Sequence, residues 1–157
     1  MRLGRGHVRR LCAGALGSVH AVRIAFGTDE PTPVTAALVA HLESAGHEVM
    51  FPAPGAQWPE VGRGVAEAVT RGAAERGVVC CWTGTGVSIA ANKVPGARAA
   101  LCTDAETARG ARRWNDANVV AIGLRLTSET VAAEIVDAFI AEPADDDEAP
   151  AIARVER

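Results

Sequence analysis

From Val22 onward, short apolar runs alternate with amphipathic stretches, and that alternation predicts the elements. "VRIAFG" (22–27) is an unbroken apolar run ending in glycine, the pattern of a parallel strand buried on both faces. Val34, Leu38, Leu42 and Ala45 then share one face of a helix that Thr32 caps, Pro33 opens and Gly46 follows. The cycle repeats with a strand "EVMFPAP" (48–54), a helix from Trp58 to Arg76 ended by Gly77, and a strand "VVCCWTG" (78–84). A short helix opens with "VSIAANK", "AALCTD" (99–104) is the fourth strand, and a helix covers 105–114. "VVAIGL" (119–124) is the fifth strand, and a last helix runs from Ser128 to Ala141. This order predicts an α/β fold: a five-stranded parallel sheet with right-handed crossovers and helices on both faces, a three-layer sandwich.

In such sheets ligands bind beyond the carboxyl ends of the strands, near a switch in strand order. That rule selects "GTDE", "WTGTG", "TDAE" and "LRLTS", which follow strands one, three, four and five.

Composition fits one domain. The 157 residues are 48% hydrophobic but only 4% aromatic, with no tyrosine, so small aliphatic side chains must fill the core. A net charge of -3 gives no electrostatic reason to expect a nucleic acid or a membrane surface as partner. No apolar run approaches a membrane span of about 20 residues. The four cysteines form no C-x-x-C pair and have no histidine ligands nearby, so reduced thiols and no metal are expected. Residues 1–21 have a basic start and a short apolar stretch interrupted by two glycines and a serine. They read as a disordered leader or an upstream start codon, with the domain spanning 22–141. Residues 142–157 read as an acidic, solvated tail.

The most informative stretch is "CCWTGTGVSIAANK" (80–93). A T-G-T-G-V-S turn between strand and helix offers several backbone N–H groups around a small concavity, a place for an anion. Known phosphate loops do not match. Gly86 has no Lys beside it, Ile89 stands where a dinucleotide loop needs its third glycine, and no arginine lies six residues beyond either cysteine. Neighbouring strand residues face opposite ways, so only one of Cys80 and Cys81 can face the site. A thiolate beside such donors is a candidate base or nucleophile, whereas a cysteine turned into the core is packing.

"CWTGTGVSIAANKVPGARAALCTD" together with "RRWNDANVVAIGLR" resembles the ribose-5-phosphate isomerase B and galactose-6-phosphate isomerase family, over about Val22 to Ala141. The resemblance implies a Rossmann-like fold, cytoplasmic location, no metal and no organic cofactor. It also implies a homodimer, or a tetramer, with sites shared between subunits. The implied reaction is aldose–ketose isomerisation of a sugar phosphate through a cis-enediolate. One family branch uses a cysteine base, which matches Cys81; the other uses a glutamate where this chain has Val87. The oxyanion cradle falls on the backbone of Trp82, Gly84, Thr85 and Gly86. Asp29 matches a substrate-hydroxyl contact, Thr83 the site threonine, Asn115 an asparagine supplied across the dimer, and Arg125 a phosphate arginine. Arg154 matches a second phosphate arginine across a two-residue gap.

The departures concern the substrate. Asp29-Glu30 stands for Asp-His, Trp114-Asn115 for His-Asn, and Trp82 for the glycine after the cysteine; the tail's Arg-His pair is absent. The histidine replaced by Trp114 opens the furanose ring in the ribose enzyme, a proton-transfer task suited to imidazole. A tetrose 4-phosphate cannot close a five-membered ring, so a short or acyclic substrate is expected. Glu30, Trp58 and Trp114 become candidates for lining its pocket. Two alternatives stay open: a binding protein without turnover, and an isomerase or epimerase of a non-phosphorylated biosynthetic intermediate.

Overall fold

The computed structural model describes residues 20–156. The leader lies outside them apart from its last two residues. Five strands form one sheet: β1 (Arg23–Thr28), β2 (Glu48–Met50), β3 (Arg76–Cys81), β4 (Ala99–Leu101) and β5 (Val119–Gly123). All pairs are parallel, as the alternating pattern predicts, and the spatial order is β2-β1-β3-β5-β4.

The helices are α1 (Pro33–Ser44), α2 (Trp58–Thr70), α3 (Thr85–Ala91), α4 (Ala105–Asn115), α5 (Glu129–Ala141) and α6 (Ala149–Ile152). Side chains that alternate along each strand feed two cores. Ile24, Phe26, Val78, Cys80, Val120 and Ile122 pack with α1, α4 and α5. Ala25, Val79, Cys81 and Ala121 pack on the other face with Val61 and Val65 of α2 and Val87 of α3. From β1 the chain goes outward to β2 and returns to the opposite side of β1 as β3. The direction of winding therefore reverses between β1 and β3, and the crevice beyond their carboxyl ends is where an open α/β sheet places its ligand.

Local chemistry sets the boundaries. Thr32 and Thr35 form a reciprocal capping box at α1, and Pro33 occupies its first turn. Ala45 is the exposed C-cap of α1 rather than part of its buried face. β2 stops at Met50 because "FPAP" brings two prolines that cannot donate to a ladder. α2 ends at Thr70, with Gly72 beyond it in the left-handed region (φ 77°), and not at Gly77.

Gly77 instead lies within β3, where a Cβ would come 2.8 Å from a Val65 methyl and 2.9 Å from a Val119 methyl. Its missing side chain lets α2 sit close to the sheet. β3 ends at Cys81, before the Trp82–Gly84 turn, and α3 starts at Thr85, two residues earlier than its apolar pattern suggests.

The tail is more ordered than its acidity suggests. Residues Asp146–Glu148 form a 3₁₀ turn leading into α6. The Asp145 N–H donates to Arg113 O at 2.9 Å, and Arg98 bridges to Glu156 (2.6 Å) and Asp116 (3.0 Å). Backbone hydrogen bonding and ion pairs thus hold the segment against α4 and β4. Among the described residues no helix is long and apolar enough to cross a membrane.

Replacing Thr32 by Ala removes the α1 capping box and is expected to lower stability by about 1 kcal/mol, read as an earlier urea midpoint at unchanged slope. An unchanged midpoint would show that the cap contributes nothing.

Candidate functional site at the carboxyl edge of the sheet

Register brings the site together. Thr28 of β1 pairs with Cys80, and Cys81 pairs with Gly123 at the end of β5. Asp29, the Trp82–Gly86 turn and Arg125 therefore leave the sheet at one edge. Past the formal strand ends the two chains stay joined: Leu124 N–H donates to Cys81 O (3.0 Å) and Arg125 N–H to Trp82 O (2.9 Å).

Cys81 and Cys80 divide their roles as alternation requires. Cys80 is wholly buried in the α1/α4/α5 core. Burial pushes its thiol far above the ordinary range, and the adjacent Cys81 and Asp29 add to that. Cys102 is also buried, and desolvation, aided by Asp104, pushes it up to about 12. Cys81 points to the opposite face, toward α2 and α3, and retains 6% exposure. Val87, at the position of the glutamate in the other branch, is completely buried in the same cluster.

The turn after Cys81 is built from backbone. Gly84 is left-handed (φ 75°) and serves as N-cap of α3, which has no side-chain cap. The N–H groups of Thr85, Gly86 and Val87 consequently have no acceptor among the described residues. The hydroxyls of Thr83 and Thr85 share a 2.7 Å hydrogen bond.

Asp29 is half-buried, and its Oδ1 is buried without a hydrogen-bond partner. An unsatisfied buried carboxylate oxygen is costly unless a ligand hydroxyl completes it. Glu30 is exposed, and its backbone is tied to the Thr28 hydroxyl. The exposed Arg125 makes no ion pair among the described residues, which leaves its guanidinium for an anion.

Trp58 packs on Gly86. Trp114, Asn115 and Arg154 lie elsewhere. α4 starts at the carboxyl edge and runs away from it, so Trp114 and Asn115 end beside Asp116 and Ala117 at the far side of the sheet. There the indole of Trp114 covers Gly110 and, with Leu101, Asn115, Ile152 and Val155, lines a groove of about 1020 Å³ along β4 and α4. Arg154 is exposed just beyond α6. One chain thus unites Asp29, Cys81, Thr83, the turn, Arg125 and Trp58, and holds Trp114, Asn115 and Arg154 apart from them.

Two further histidines are occupied in the scaffold. His41 Nε2 lies 2.7 Å from Asp137, and His47 Nδ1 accepts the Val22 N–H. Gly123 and Leu101 were not among the sequence candidates, yet both shape the turn. A Cβ on Gly123 would stand 2.7 Å from Thr83 O, and one on Gly84 would stand 2.5 Å from Leu101 Cδ1. A glycine ending an otherwise apolar strand was the available signal for Gly123. Among the described residues no group of three His, Cys, Asp or Glu side chains is placed to hold a metal.

Acid–base chemistry on a small anionic ligand is what this edge can support, and its class is an open α/β enzyme with a site at the switch point. A family model described as Ribose/Galactose Isomerase matches residues 24–157. Ribose-5-phosphate isomerase B of Escherichia coli (strain K12) is 38% identical over 123 residues, covering 75% of this chain and 83% of that protein. D-erythrulose-4-phosphate isomerase of Pectobacterium atrosepticum is 42% identical over 83 residues, 53% of this chain and 55% of the relative. The solved ribose-5-phosphate isomerase B of Clostridium thermocellum superposes with a TM-score of 0.80 at 36% identity, over 85% of this chain and 95% of that one. The chain belongs to the ribose/galactose isomerase family.

The three buried cysteines among the described residues differ in access. A small alkylating reagent at mildly alkaline pH is expected to modify Cys81 before Cys80 or Cys102, as read by peptide mass mapping. Earlier modification of Cys80 or Cys102 would contradict this placement.

Proposed function

We propose that the protein interconverts an aldose phosphate and a ketose phosphate, with Cys81 as the base and a short, open-chain sugar phosphate as substrate. The observation that carries this is the convergence on one edge of the Cys81 thiol, a turn of free N–H groups and the unsatisfied Asp29 oxygen.

In the first half-reaction the Cys81 thiolate takes the proton from the carbon beside the carbonyl, forming S–H. The C–H electron pair becomes the C=C bond of a cis-enediolate, and the carbonyl π pair moves onto oxygen. The N–H groups of Thr85 and Gly86 face that developing charge, the arrangement that lowers an enolisation barrier most. In the second half-reaction the thiol returns the proton to the neighbouring carbon. The hydroxyl on the first carbon becomes the carbonyl, and its proton is passed to the other oxygen. Thr83, fixed by its bond to Thr85, orients the oxygens. Asp29 Oδ1 accepts a substrate hydroxyl, and Arg125 meets the phosphate.

A four-carbon substrate fits the residues better than ribose 5-phosphate. Trp114 replaces the imidazole that the family resemblance assigns to ring opening, and His41 and His47 are engaged elsewhere. An acyclic 4-phosphate needs no ring opening. The similarity to a D-erythrulose-4-phosphate isomerase supports the same reading.

Asn115, Trp114 and Arg154 reach the site from a second copy. The exposed Trp114 and Leu101 and the groove between them supply an apolar surface on which two copies can associate.

In D₂O, incubation with four-, five- and six-carbon aldose and ketose phosphates is expected to give exchange beside the carbonyl, strongest for a four-carbon member and lost in Cys81→Ser. Mixing inactive Cys81→Ser with inactive Asn115→Ala subunits should restore up to roughly a quarter of wild-type turnover, because random pairing gives heterodimers with one intact site. Exchange that persists in Cys81→Ser would remove the thiol from the role of base, and a silent mixture would place Asn115 outside a shared site.

A further inference from the structure

Trp58 opens α2, and its indole lies against Gly86, the second residue of α3. A Cβ on Gly86 would stand 3.0 Å from Cε3 and 3.1 Å from Cδ2 of that ring. The contact is enforced from the other helix as well. Gly62, one turn further along α2, approaches α3 so closely that a Cβ there would be 2.6 Å from Val87 O and 2.8 Å from Ala90 Cβ. Each helix therefore presents a glycine to the other, and the pair interlocks at a fixed separation.

On its opposite side the turn is closed by β5, since a Cβ on Gly84 would meet Gly123 N at 2.8 Å. The donor turn is thus gripped between the end of β5 and one indole. Helix packing does not hide that indole, which stays 43% exposed at the rim of the site. The indole therefore stands beside the unpartnered N–H groups at the start of α3.

We propose that Trp58 is a positioning residue for the enolisation, an assignment that rests on the isomerase reading above. The indole holds the first turn of α3 at a fixed distance from Cys81 and keeps water off its flank, so the Gly86 and Thr85 N–H groups meet the enediolate oxygen instead of solvent. Removing the ring leaves a gap that water enters, and the donors then shift and hydrate together. Both changes weaken stabilisation of charge that exists only during the reaction, so turnover falls while substrate binding is largely kept.

The test compares wild type, Trp58→Ala, Trp58→Phe and Gly86→Ala on the member of the sugar-phosphate panel that wild type converts. Steady-state kinetics are combined with the fraction of product labelled in D₂O, and folding is checked by thermal melts. Trp58→Ala is expected to lose roughly 10- to 100-fold in kcat with KM changed less than about threefold. More of its product carries solvent deuterium than wild type's, because water reaches the enediolate. Trp58→Phe restores most of the rate, and Gly86→Ala, which displaces the ring while keeping it, reproduces the loss. A folded Trp58→Ala with wild-type kcat and labelling overturns this assignment and leaves the isomerase intact. So does a variant that loses only thermal stability, with labelling unmoved. If Trp58→Ala does not fold, Trp58→Leu, which keeps apolar bulk without the ring, decides by the same two readouts. A wild type that exchanges no panel member overturns both readings.

Discussion

The close approach of backbone at Gly84, Gly86 and Gly123 is the constraint on which the rest depends. A side chain on Gly84 would collide with Leu101 and the start of Gly123, one on Gly123 with the Thr83 carbonyl, and one on Gly86 with Trp58. These contacts press the turn after β3 onto the end of β5, and the Cys81–Leu124 and Trp82–Arg125 backbone bonds hold it there. Gly84 must also be left-handed, a conformation that costs a residue with a Cβ roughly 1–2 kcal/mol. The result is a set of N–H donors whose directions are set before any ligand arrives. Donors arranged in this way need no reorganisation as charge appears, the condition under which hydrogen bonds lower a barrier most.

The sheet supplies the remainder through register. Pairing Thr28 with Cys80 and Cys81 with Gly123 puts the ends of β1, β3 and β5 level, so Asp29, Cys81 and Arg125 emerge together. Alternation then sends Cys80 into one core and Cys81 toward the other face. A slip of one residue in β3 would exchange them, burying Cys81 among α1, α4 and α5. Function and folding share this requirement, because the same slip would turn Val79 and Val78 to the wrong cores.

Much of this was legible in sequence because it follows from period and punctuation. Unbroken apolar runs gave the parallel strands, Thr32 with Pro33 gave the start of α1, and strand alternation limited the site to one cysteine of the pair. Boundaries were less legible where a residue has two uses. Gly77 reads as a helix stop, but its place is in β3, where close packing by Val65 and Val119 requires the absence of a side chain. The tail reads as solvated because it is acidic, yet Glu156 and Asp145 find Arg98 and the Arg113 backbone, partners distant in sequence. The reciprocal glycines of α2 and α3 could not be paired in advance, because their partners are known only once the helices have docked. The family resemblance assigned Asn115 to a site across a dimer and Trp114 to the pocket lining, and the direction of α4, which carries both away from the edge where Cys81 lies, was read only from the fold.

In one chain Cys81 and the donor turn stand at one edge of the sheet, and Trp114 and Asn115 at the other. The central claim is that this turn and Cys81 act on a single enediolate. It is tested most directly by a crystal structure with a three-carbon hydroxamate phosphate, whose nitrogen stands in for the fourth carbon of that intermediate. The account predicts the hydroxamate oxygen within hydrogen-bonding distance of the Thr85 and Gly86 N–H groups, Cys81 Sγ against the carbon-mimicking atom, and a ligand hydroxyl on Asp29 Oδ1. A hydroxamate bound away from the turn, or with Cys81 facing its phosphate, would contradict it.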